Sequence, residues 1–323
     1  LNAKKEEIYF TAGGSEADNW AIKMTAEAYQ NKGKHIITTK IEHHAVLHTT
    51  AWLERKGFEV TYLDVDEDGL ISLDELEKAI RPDTILISVM FANNEIGTIQ
   101  PIENVCEIAH EYGAKVHSDA VAAFGHIDVD VKKLGVDFLN VSGHKICGPK
   151  GVGFLYVRGG KPERFMHGGG QENGLRAGTE NVAGIAGLAT AARIAYETLS
   201  DRARQEKKIS DYMIKRILRE IPYSRINGSR ESRVTGNMNF SFQYVNGGML
   251  VVMLNKQGIC ASAGSACTSN SGKPSHVLLA LGLDEKIAEG SLRLTINHTI
   301  THREADYVVE CIKKDVARLR ELA

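Results

Sequence analysis

The sequence is poor in the features that mark several classes of protein. Its 323 residues contain five cysteines, at positions 106, 147, 260, 267 and 311, and no C-x-x-C pair. So few and scattered cysteines exclude a disulfide framework and give no zinc signature, which favours a reducing, cytoplasmic compartment. The net charge is only −2, from 39 basic and 41 acidic residues. This balance argues against an electrostatic nucleic-acid binder and against a polybasic membrane-surface protein.

Long apolar runs are also missing. The longest, Thr84–Ala92 and Met249–Leu254, are far too short to span a bilayer. There is no internal repeat, no low-complexity segment and no visible signal peptide, and because the chain starts at Leu1 we expect an upstream segment to be absent. With 43% hydrophobic and 25% charged residues, the composition is that of a globular protein of about two domains.

Strands and helices alternate through the first two thirds of the sequence. The pattern predicts an α/β fold with a mostly parallel sheet and crossover helices in residues 1–200, and a smaller α+β domain in residues 201–323. The predicted strands are Ile8–Thr11, His35–Lys40, Glu59–Asp64, Thr84–Ala92, Lys115–Asp119, Asp137–Ser142, Gly151–Val157, Met238–Gln243 and Ser291–Ile296. The predicted helices include Ser15–Asn31, Ile102–Tyr112, Val182–Leu199, Asp201–Arg219 and a C-terminal amphipathic helix.

The first predicted strand runs into Gly13-Gly14 and a helix that begins at Ser15. Asp18 stands three residues further on, where a reciprocal capping side chain would lie. The free N–H groups and the dipole of this helix start suit a phosphate, although simple capping is the alternative.

Polar side chains follow several other predicted strands. The group Glu42-His43-His44 follows His35–Lys40, Asp119 ends a buried strand, and Ser142-Gly143-His144-Lys145 ends the next. In open parallel sheets, ligands bind at these strand ends. Asp119 either caps its strand or pairs with a cationic ligand nitrogen, and Lys145 is either solvated or forms a Schiff base from a desolvated pocket.

The cysteines fall into different settings. Cys106 and Cys311 lie on apolar helical faces and are expected in the core. Cys147 is also expected to be a packing residue. Cys267 instead lies in a run of small residues, Gly264–Ser269.

Taken together and in order, these motifs resemble those of a known family. The sequence is similar to cysteine desulfurases of the NifS/IscS type, which are pyridoxal-phosphate (PLP) enzymes of fold type I and class-V aminotransferases. The resemblance runs from about Ile8 to the C-terminal helix. Its most specific motifs are Glu42-His43-x-Ala45-Val46, Asn93-Asn94-Glu95-Ile96-Gly97, Ser142-x-His144-Lys145-x-x-Gly148-Pro149-Lys150-Gly151, His167-Gly168-Gly169-Gly170-Gln171-Glu172 and Gly264-Ser265-Ala266-Cys267.

The resemblance implies a set of cofactor-binding residues. Lys145 would form the Schiff base with PLP and later move the Cα proton, and Asp119 would pair with the pyridinium nitrogen. His43 would stack on the ring and transfer protons. The remaining residues would bind the phosphate: Gly14, Ser15, Ser142, His144 and, from the neighbouring subunit of a homodimer, Thr179.

The resemblance also implies how L-cysteine is bound and used. Asn94, beside the cofactor, and Arg293 would bind the substrate carboxylate. Cys267 would attack the substrate sulfur, leaving a persulfide on the enzyme and releasing alanine. The acceptor of the sulfur stays open: an iron–sulfur scaffold, a tRNA-thiolating enzyme and a cofactor-biosynthesis protein all fit.

The sequence departs from the family pattern in two places. Ala122 stands where the family has a Gln that donates to the cofactor's phenolic oxygen, and an Ala cannot donate. The family's opening Asp-x-x-(Ala)-Thr-Thr segment is absent.

Three alternatives follow from these features. Selenocysteine lyase chemistry occurs in the same superfamily. A catalytically weak sulfur-transfer partner would agree with Ala122 and the missing segment. A zinc hydrolase built on His43, His44 and His48 is the most distant.

Overall fold

The chain forms two compact units. The computed structural model describes residues 1–263 and 274–322. The first unit comprises Leu1–Asp64, Ile71–Ala92 and Ile99–Leu199, and the second comprises Val65–Leu70, Asn93–Thr98 and Ser200–Ala323. The division into domains 1–200 and 201–323 stays a prediction, and two short segments cluster with the second unit although they precede residue 200.

The first unit contains seven strands and six helices among the described residues. The strands are β1 (Ile8–Thr11), β2 (His35–Thr39), β3 (Glu59–Leu63), β4 (Thr84–Ser88), β5 (Lys115–Asp119), β6 (Phe138–Ser142) and β7 (Gly153–Val157). The helices are α1 (Gly14–Tyr29), α2 (His44–Glu54), α3 (Leu73–Ala79), α4 (Ile102–Glu111), α5 (Val131–Leu134) and α6 (Val182–Glu197).

These strands form one mainly parallel sheet, which confirms the predicted fold class. Its strand order is β1-β7-β6-β5-β4-β2-β3. The pairs from β3 to β6 are parallel, and β7 is antiparallel to both β6 and β1. Strands β2, β4, β5, β6 and β1 therefore all end at the same edge of the sheet, which is where α/β folds bind ligands.

Helix α1 packs its apolar face on this sheet. Trp20 and Ala17 contact Tyr9 and Leu155 in one cluster, and Ile22 joins a second cluster around β2 and β4. The Trp20 indole N–H also donates to the Glu163 carbonyl at 2.9 Å. The burial of this face fixes the start of α1 at the edge where the parallel strands end.

The second unit has its own sheet and core. It contains α7 (Leu199–Glu220), β8 (Ser224–Ile226), β9 (Asn237–Phe242), α8 (Gly247–Asn255), α9 (His276–Ala280), α10 (Glu285–Glu289), β10 (Ser291–Thr295) and α11 (His302–Glu321). The strand order is β10-β9-β8, and both pairs are antiparallel. The apolar faces of α7, α8 and α11 supply its core, in which Cys311 is buried as expected.

The predicted end of a strand differs from the observed end where buried residues continue beyond the last residue that is paired in the sheet. Thr84–Ala92 was expected to be one strand, but β4 ends at Ser88 although residues 89–92 are also buried. Val89 and Phe91 still donate to carbonyls of β5, and the chain then doubles back so that Ala92 bridges Ile99. A run of apolar residues predicts that the segment is buried, but it does not predict the residue at which the hydrogen-bonded pairing of the strand ends. Within the described part of the chain, no helix has the length and apolarity needed to cross a membrane.

Gly153 allows the closest backbone approach beside the start of α1. A Cβ atom on this residue would lie 2.3 Å from the Val141 carbonyl oxygen and 2.8 Å from the Gly13 Cα. We predict that Gly153→Ala lowers the free energy of unfolding by about 1–3 kcal/mol through overpacking. Urea unfolding measures this change. Gly170→Ala is the control, because no other atom lies within 4 Å of its Cβ position. Equal stability of the two variants would contradict the prediction.

Candidate active site

The start of α1 brings a glycine pair against the end of β5. Gly13 precedes the helix with a φ of 154°, a backbone conformation that L side chains rarely adopt. A Cβ on Gly14 would lie 2.6 Å from Val121 Cγ2, so a side chain there would push the helix away from the sheet. The first N–H groups of a helix lack intrahelical partners and attract anions. This close approach therefore places a potential phosphate site at the sheet edge.

Glu16, rather than Asp18, caps this helix start. Its Oε2 accepts the Ala12 N–H at 2.8 Å, and its carboxylate binds the Arg176 guanidinium at 2.7 and 3.1 Å. The prediction that Asp18 is a capping residue is wrong. The helix begins at Gly14, so Asp18 lies in the second turn and faces the sheet, where it is only 1% exposed.

Asp119 lies at the end of β5 in a hydrogen-bonded chain. Its Oδ1 accepts the Val121 N–H at 2.8 Å and the Asn140 side-chain N–H at 3.2 Å. Asn140 Oδ1 lies 3.0 Å from His117 Nε2, and His117 Nδ1 lies 2.8 Å from Ser88 Oγ. The chain thus crosses from β6 to β5 to β4 and fixes one oxygen of Asp119.

Burial dominates the protonation of this region. It lowers the pKa of His117 to about 4, so this imidazole is neutral at pH 7. Burial raises the pKa of Asp119, an effect partly offset by its hydrogen bond from Val121 and by the nearby His43 and Lys145. Burial also raises the pKa of Glu42 to about 8, although Met90 N–H and Thr39 Oγ1–H both donate to its Oε1.

His43 joins Asp119 and Asp18 at this edge. The three residues each offer a polar side-chain atom within 4.8 Å of the other two. His43 is the N-cap of α2, and its Nδ1 accepts the Ala45 N–H at 3.1 Å. This bond leaves Nδ1 unprotonated and Nε2 as the nitrogen that carries the proton of the neutral ring.

The three histidines of the zinc alternative do not gather around one point in the described part of the chain. His44 packs against His48, with ring centroids 5.0 Å apart. His44 also lies against His43, with ring centroids 6.3 Å apart, but the ligand atoms that lie within 4.8 Å of one another around His43 belong to Asp18, His43 and Asp119. This arrangement does not support a zinc site made of His43, His44 and His48.

Lys145 follows β6 on a short 3₁₀ helix, Gly143–Ile146, and its side chain is exposed. Ser142 Oγ lies 2.8 Å from His144 Nδ1, so these two predicted phosphate ligands are hydrogen-bonded to each other. Partial burial and the charges of Lys145 and Lys150 lower the pKa of His144.

Cys147 ends the 3₁₀ helix with a φ of 62° and is exposed, so the prediction that it is a packing residue is wrong. Cys106, by contrast, is buried as predicted.

Asn94 and Arg293 meet in the second unit. Arg293 lies on β10, and its Nη1 donates to the Asn94 carbonyl at 3.0 Å. The Asn94 loop is also held by Asn239, whose side chain donates to the Glu95 carbonyl at 3.2 Å. The buried Glu95 carboxylate accepts a hydrogen bond of 2.6 Å from Ser275, the N-cap of α9. The two predicted carboxylate-binding residues are therefore parts of one hydrogen-bonded assembly.

The remaining predicted residues are Thr179, Ala122 and Cys267. Thr179 is exposed, two residues before Asn181, which caps α6. Ala122 is half-buried, three residues after Asp119. Cys267 lies outside the described residues, between Ser262, whose backbone pairs with Arg293, and Ser275.

Sequence analysis missed the residues behind Asp119. His117 and Asn140 stand inside strands at positions that a pattern reports only as buried, and Asp18 has the spacing of a capping residue. The one available signal was a polar residue type within an otherwise apolar buried strand, since buried polar groups need a specific partner.

Comparison with known proteins supplies the family. The family described as Aminotransferase class-V matches residues 1–308. A protein of Methanosarcina thermophila named cysteine desulfurase IscS is 53% identical over 324 residues, covering 100% of this chain and 80% of that protein. The solved structure of a NifS-like protein has a TM-score of 0.91 and 40% identity, and the match covers 98% of this chain and 84% of that one. A structure of SspA in complex with cysteine has a TM-score of 0.79 and 38% identity, covering 92% and 83%.

These matches extend over almost the whole chain. The chain therefore belongs to the class-V aminotransferase family, within the group of IscS and NifS-like cysteine desulfurases.

Proposed function

We propose that this protein is a PLP-dependent cysteine desulfurase that converts L-cysteine to L-alanine and passes the sulfur through Cys267. The observation that carries the proposal is the gathering of Asp119, His43 and the Gly13-Gly14 helix start at the end of one parallel sheet, with Lys145 directly after β6. The same sequence motifs extend over the chain in the order found in the desulfurases.

The residues at this edge fit PLP. The helix start has no room for a Cβ at Gly14, which suits a phosphate that approaches the backbone. Asp119 is a buried carboxyl, and the Oδ1 atom of the neighbouring Asp18 is buried with no hydrogen-bond partner, so these two carboxyls can accept a further N–H donor. A pyridinium N–H supplies such a donor. Bound PLP provides an electron sink that weakens bonds around the amino-acid Cα.

Each residue then has a defined task. Lys145 is the amine that holds the cofactor covalently and later carries the Cα proton. Asp119 would accept the ring N–H with the carboxyl that Asn140 and Val121 orient, and His43 would act beside it. Gly14, Ser15, Ser142 and His144 bind the phosphate.

Arg293 and Asn94 of the second unit bind the substrate. Arg293 has a planar fork that matches a carboxylate, and its bond to the Asn94 carbonyl restricts the rotation of the guanidinium. Asn94 supplies the neighbouring side-chain donor. The network through Glu95 and Asn239 keeps both residues in place before the substrate arrives.

Sulfur leaves through Cys267. Its thiolate attacks the substrate sulfur, so an S–S bond forms as the Cβ–S bond breaks. The electron pair of the broken bond stays with the amino-acid fragment, which leaves as L-alanine after protonation. The persulfide is then transferred to an acceptor protein such as an iron–sulfur scaffold. A persulfide-forming thiol is best preserved in a reducing compartment, and we place the enzyme in the cytoplasm.

We further propose a homodimer. Helix α6 exposes apolar side chains that a partner would cover, including Val182 at 71% and Ile194 at 51% exposure. Thr179 lies immediately before this helix, so a partner packed on α6 would place its phosphate site near Thr179.

We predict that borohydride reduction of the PLP-loaded protein fixes the cofactor on Lys145. Lys145→Ala should lose the visible absorption band, whereas Lys150→Ala, an exposed lysine of the same turn, should keep it. Peptide mapping that finds the label on Lys150, or on no lysine, would contradict the assignment.

We predict that Cys267→Ala keeps PLP and still binds L-cysteine but loses nearly all sulfide release and all persulfide. Sulfide and alanine are assayed together on purified protein with PLP. Cys260→Ala is the control, because Cys260 is an exposed thiol in the same unit. Sulfide release from Cys267→Ala at near the original rate would mean direct β-elimination, as in a lyase, and the desulfurase proposal would be abandoned.

We predict that PLP retention depends on dimerisation through Thr179. Thr179→Ala should release PLP faster on dialysis, whereas Thr299→Ala should not, because Thr299 is an exposed threonine of the second unit whose hydroxyl donates to Asn297 in its own turn. Analytical ultracentrifugation gives the oligomeric state of each sample. A monomer that keeps full PLP occupancy would refute the prediction.

A further inference from the structure

Asp18 is a buried acid that the proposed mechanism does not use. It is 1% exposed, and its Oδ1 has no hydrogen-bond partner. A buried carboxyl oxygen without a donor is unfavourable, so its position on the cofactor-facing turn of α1 calls for a physical reason.

The nearest candidate donor is committed elsewhere. His117 Nε2 lies 3.5 Å from Asp18 Oδ1 but only 3.0 Å from Asn140 Oδ1. Asn140 turns its N–H toward Asp119, so its oxygen must accept from His117. Because His117 is neutral, its single ring proton goes to Asn140 and none is left for Asp18.

Asp18 instead belongs to the cluster around Asp119. Its carboxyl, the Asp119 carboxyl and the His43 ring lie within 4.8 Å of one another. Helix α1 contributes Asp18, the β2–α2 connection contributes Glu42 and His43, β5 contributes His117 and Asp119, and Lys145 follows β6. Burial, together with the charges of Asp119 and Glu42, raises the pKa of Asp18 well above its usual range, although a hydrogen bond from the Asn140 side chain to its carboxyl partly offsets the rise.

We propose that Asp18 and Asp119 form a two-carboxyl site for the protonated ring nitrogen of the cofactor, with Asp119 as the direct acceptor and Asp18 as a positioning residue that exchanges its own proton for the ring cation. This inference rests on the proposed function. When the ring cation enters, Asp18 loses its proton to solvent and its negative charge then favours the bound pyridinium. Cofactor binding and proton release are therefore linked at Asp18.

Calorimetry of the apoprotein tests this linkage without any turnover. Pyridoxamine 5′-phosphate is the probe, because it carries the ring and the phosphate but forms no bond to Lys145. Titrations in two buffers of different ionisation enthalpy give the number of protons released on binding. The titrations are run at a pH at which the free probe already carries its ring proton, so that the ring takes up no further proton on binding and the difference between variants reports Asp18.

Wild-type protein should release more protons than Asp18→Asn, by up to one per site. Its Kd should fall more steeply as the pH rises, because high pH favours the loss of the Asp18 proton. Where Asp18 is ionised in the complex, Asp18→Asn should bind about tenfold more weakly, the equivalent of one pKa unit of interaction. The matched control is Asp137→Asn, a buried acid at the opposite end of β6 that accepts hydrogen bonds from Lys115 and His110. Its proton release should equal that of the wild type.

A second variant separates charge from shape. Asp18→Ser is smaller than Asp18→Asn but equally unable to ionise, so both should lose the proton release. If Asp18 is only a packing residue, Asp18→Asn will behave like the wild type and the proposal is overturned. If wild type and both variants bind the probe with the same proton release, Asp18 is not part of the site although the proposed function stands. If the wild-type apoprotein does not bind the probe at all, the PLP assignment itself fails.

Discussion

The exclusion of water from the end of β5 is the constraint on which the site depends. Asp119 is buried there, and in that position a carboxyl can be charged only when a cation or donors compensate for the lost solvation. The Ser88–His117–Asn140 chain provides part of this compensation and fixes one oxygen. The charges of the nearby His43 and Lys145 supply a further part of it, and the carboxyl can still accept an N–H donor from a ligand at the sheet edge.

The same constraint explains the glycines and the helix at this edge. The first N–H groups of α1 and the Asp119 carboxyl can act on one ligand only because α1 begins close to the strand ends. Gly14 permits that approach to Val121, and Gly153 permits the approach of β7 to Gly13. The burial of Trp20 and Ile22 then holds the helix in place. In α1, the start of the helix therefore faces the ligand-binding edge, while the apolar residues that follow pack on the sheet and hold the helix in place.

Much of this arrangement could be predicted from the sequence, and the exceptions have physical causes. The alternation of strands and helices gave the parallel sheet, and parallel topology alone brings Gly14, Asp119 and Lys145 to one edge. The second turn of α1 was misread because Asp18 has the spacing of a capping residue, whereas the helix starts one residue earlier and turns it inward. Cys147 was predicted to be a packing residue because cysteine is usually buried. It is exposed because it occupies a left-handed turn, and the position of such a turn depends on the path of the backbone. The hydrogen bond between His117 and Asn140 was not predicted, because it depends on how β5 and β6 align in the sheet, which the sequence pattern does not give.

The second unit is built from segments that are far apart in the sequence, and this affects how the chain folds during synthesis. Val65–Leu70 and Asn93–Thr98 emerge from the ribosome early, yet their partners come late: Ser229 N–H donates to both the Asp68 carbonyl and Thr98 Oγ1, and Glu95 bonds Ser275, which is 180 residues away. At about 5–20 residues per second, Glu95 waits roughly ten to forty seconds for Ser275 to be synthesised. Through this interval the nascent chain carries the Asn94 loop without the contacts that order it. The hydrogen bonds that order the Asn94 loop are therefore among the last to form, and translation of the final third of the chain sets the time at which they can form.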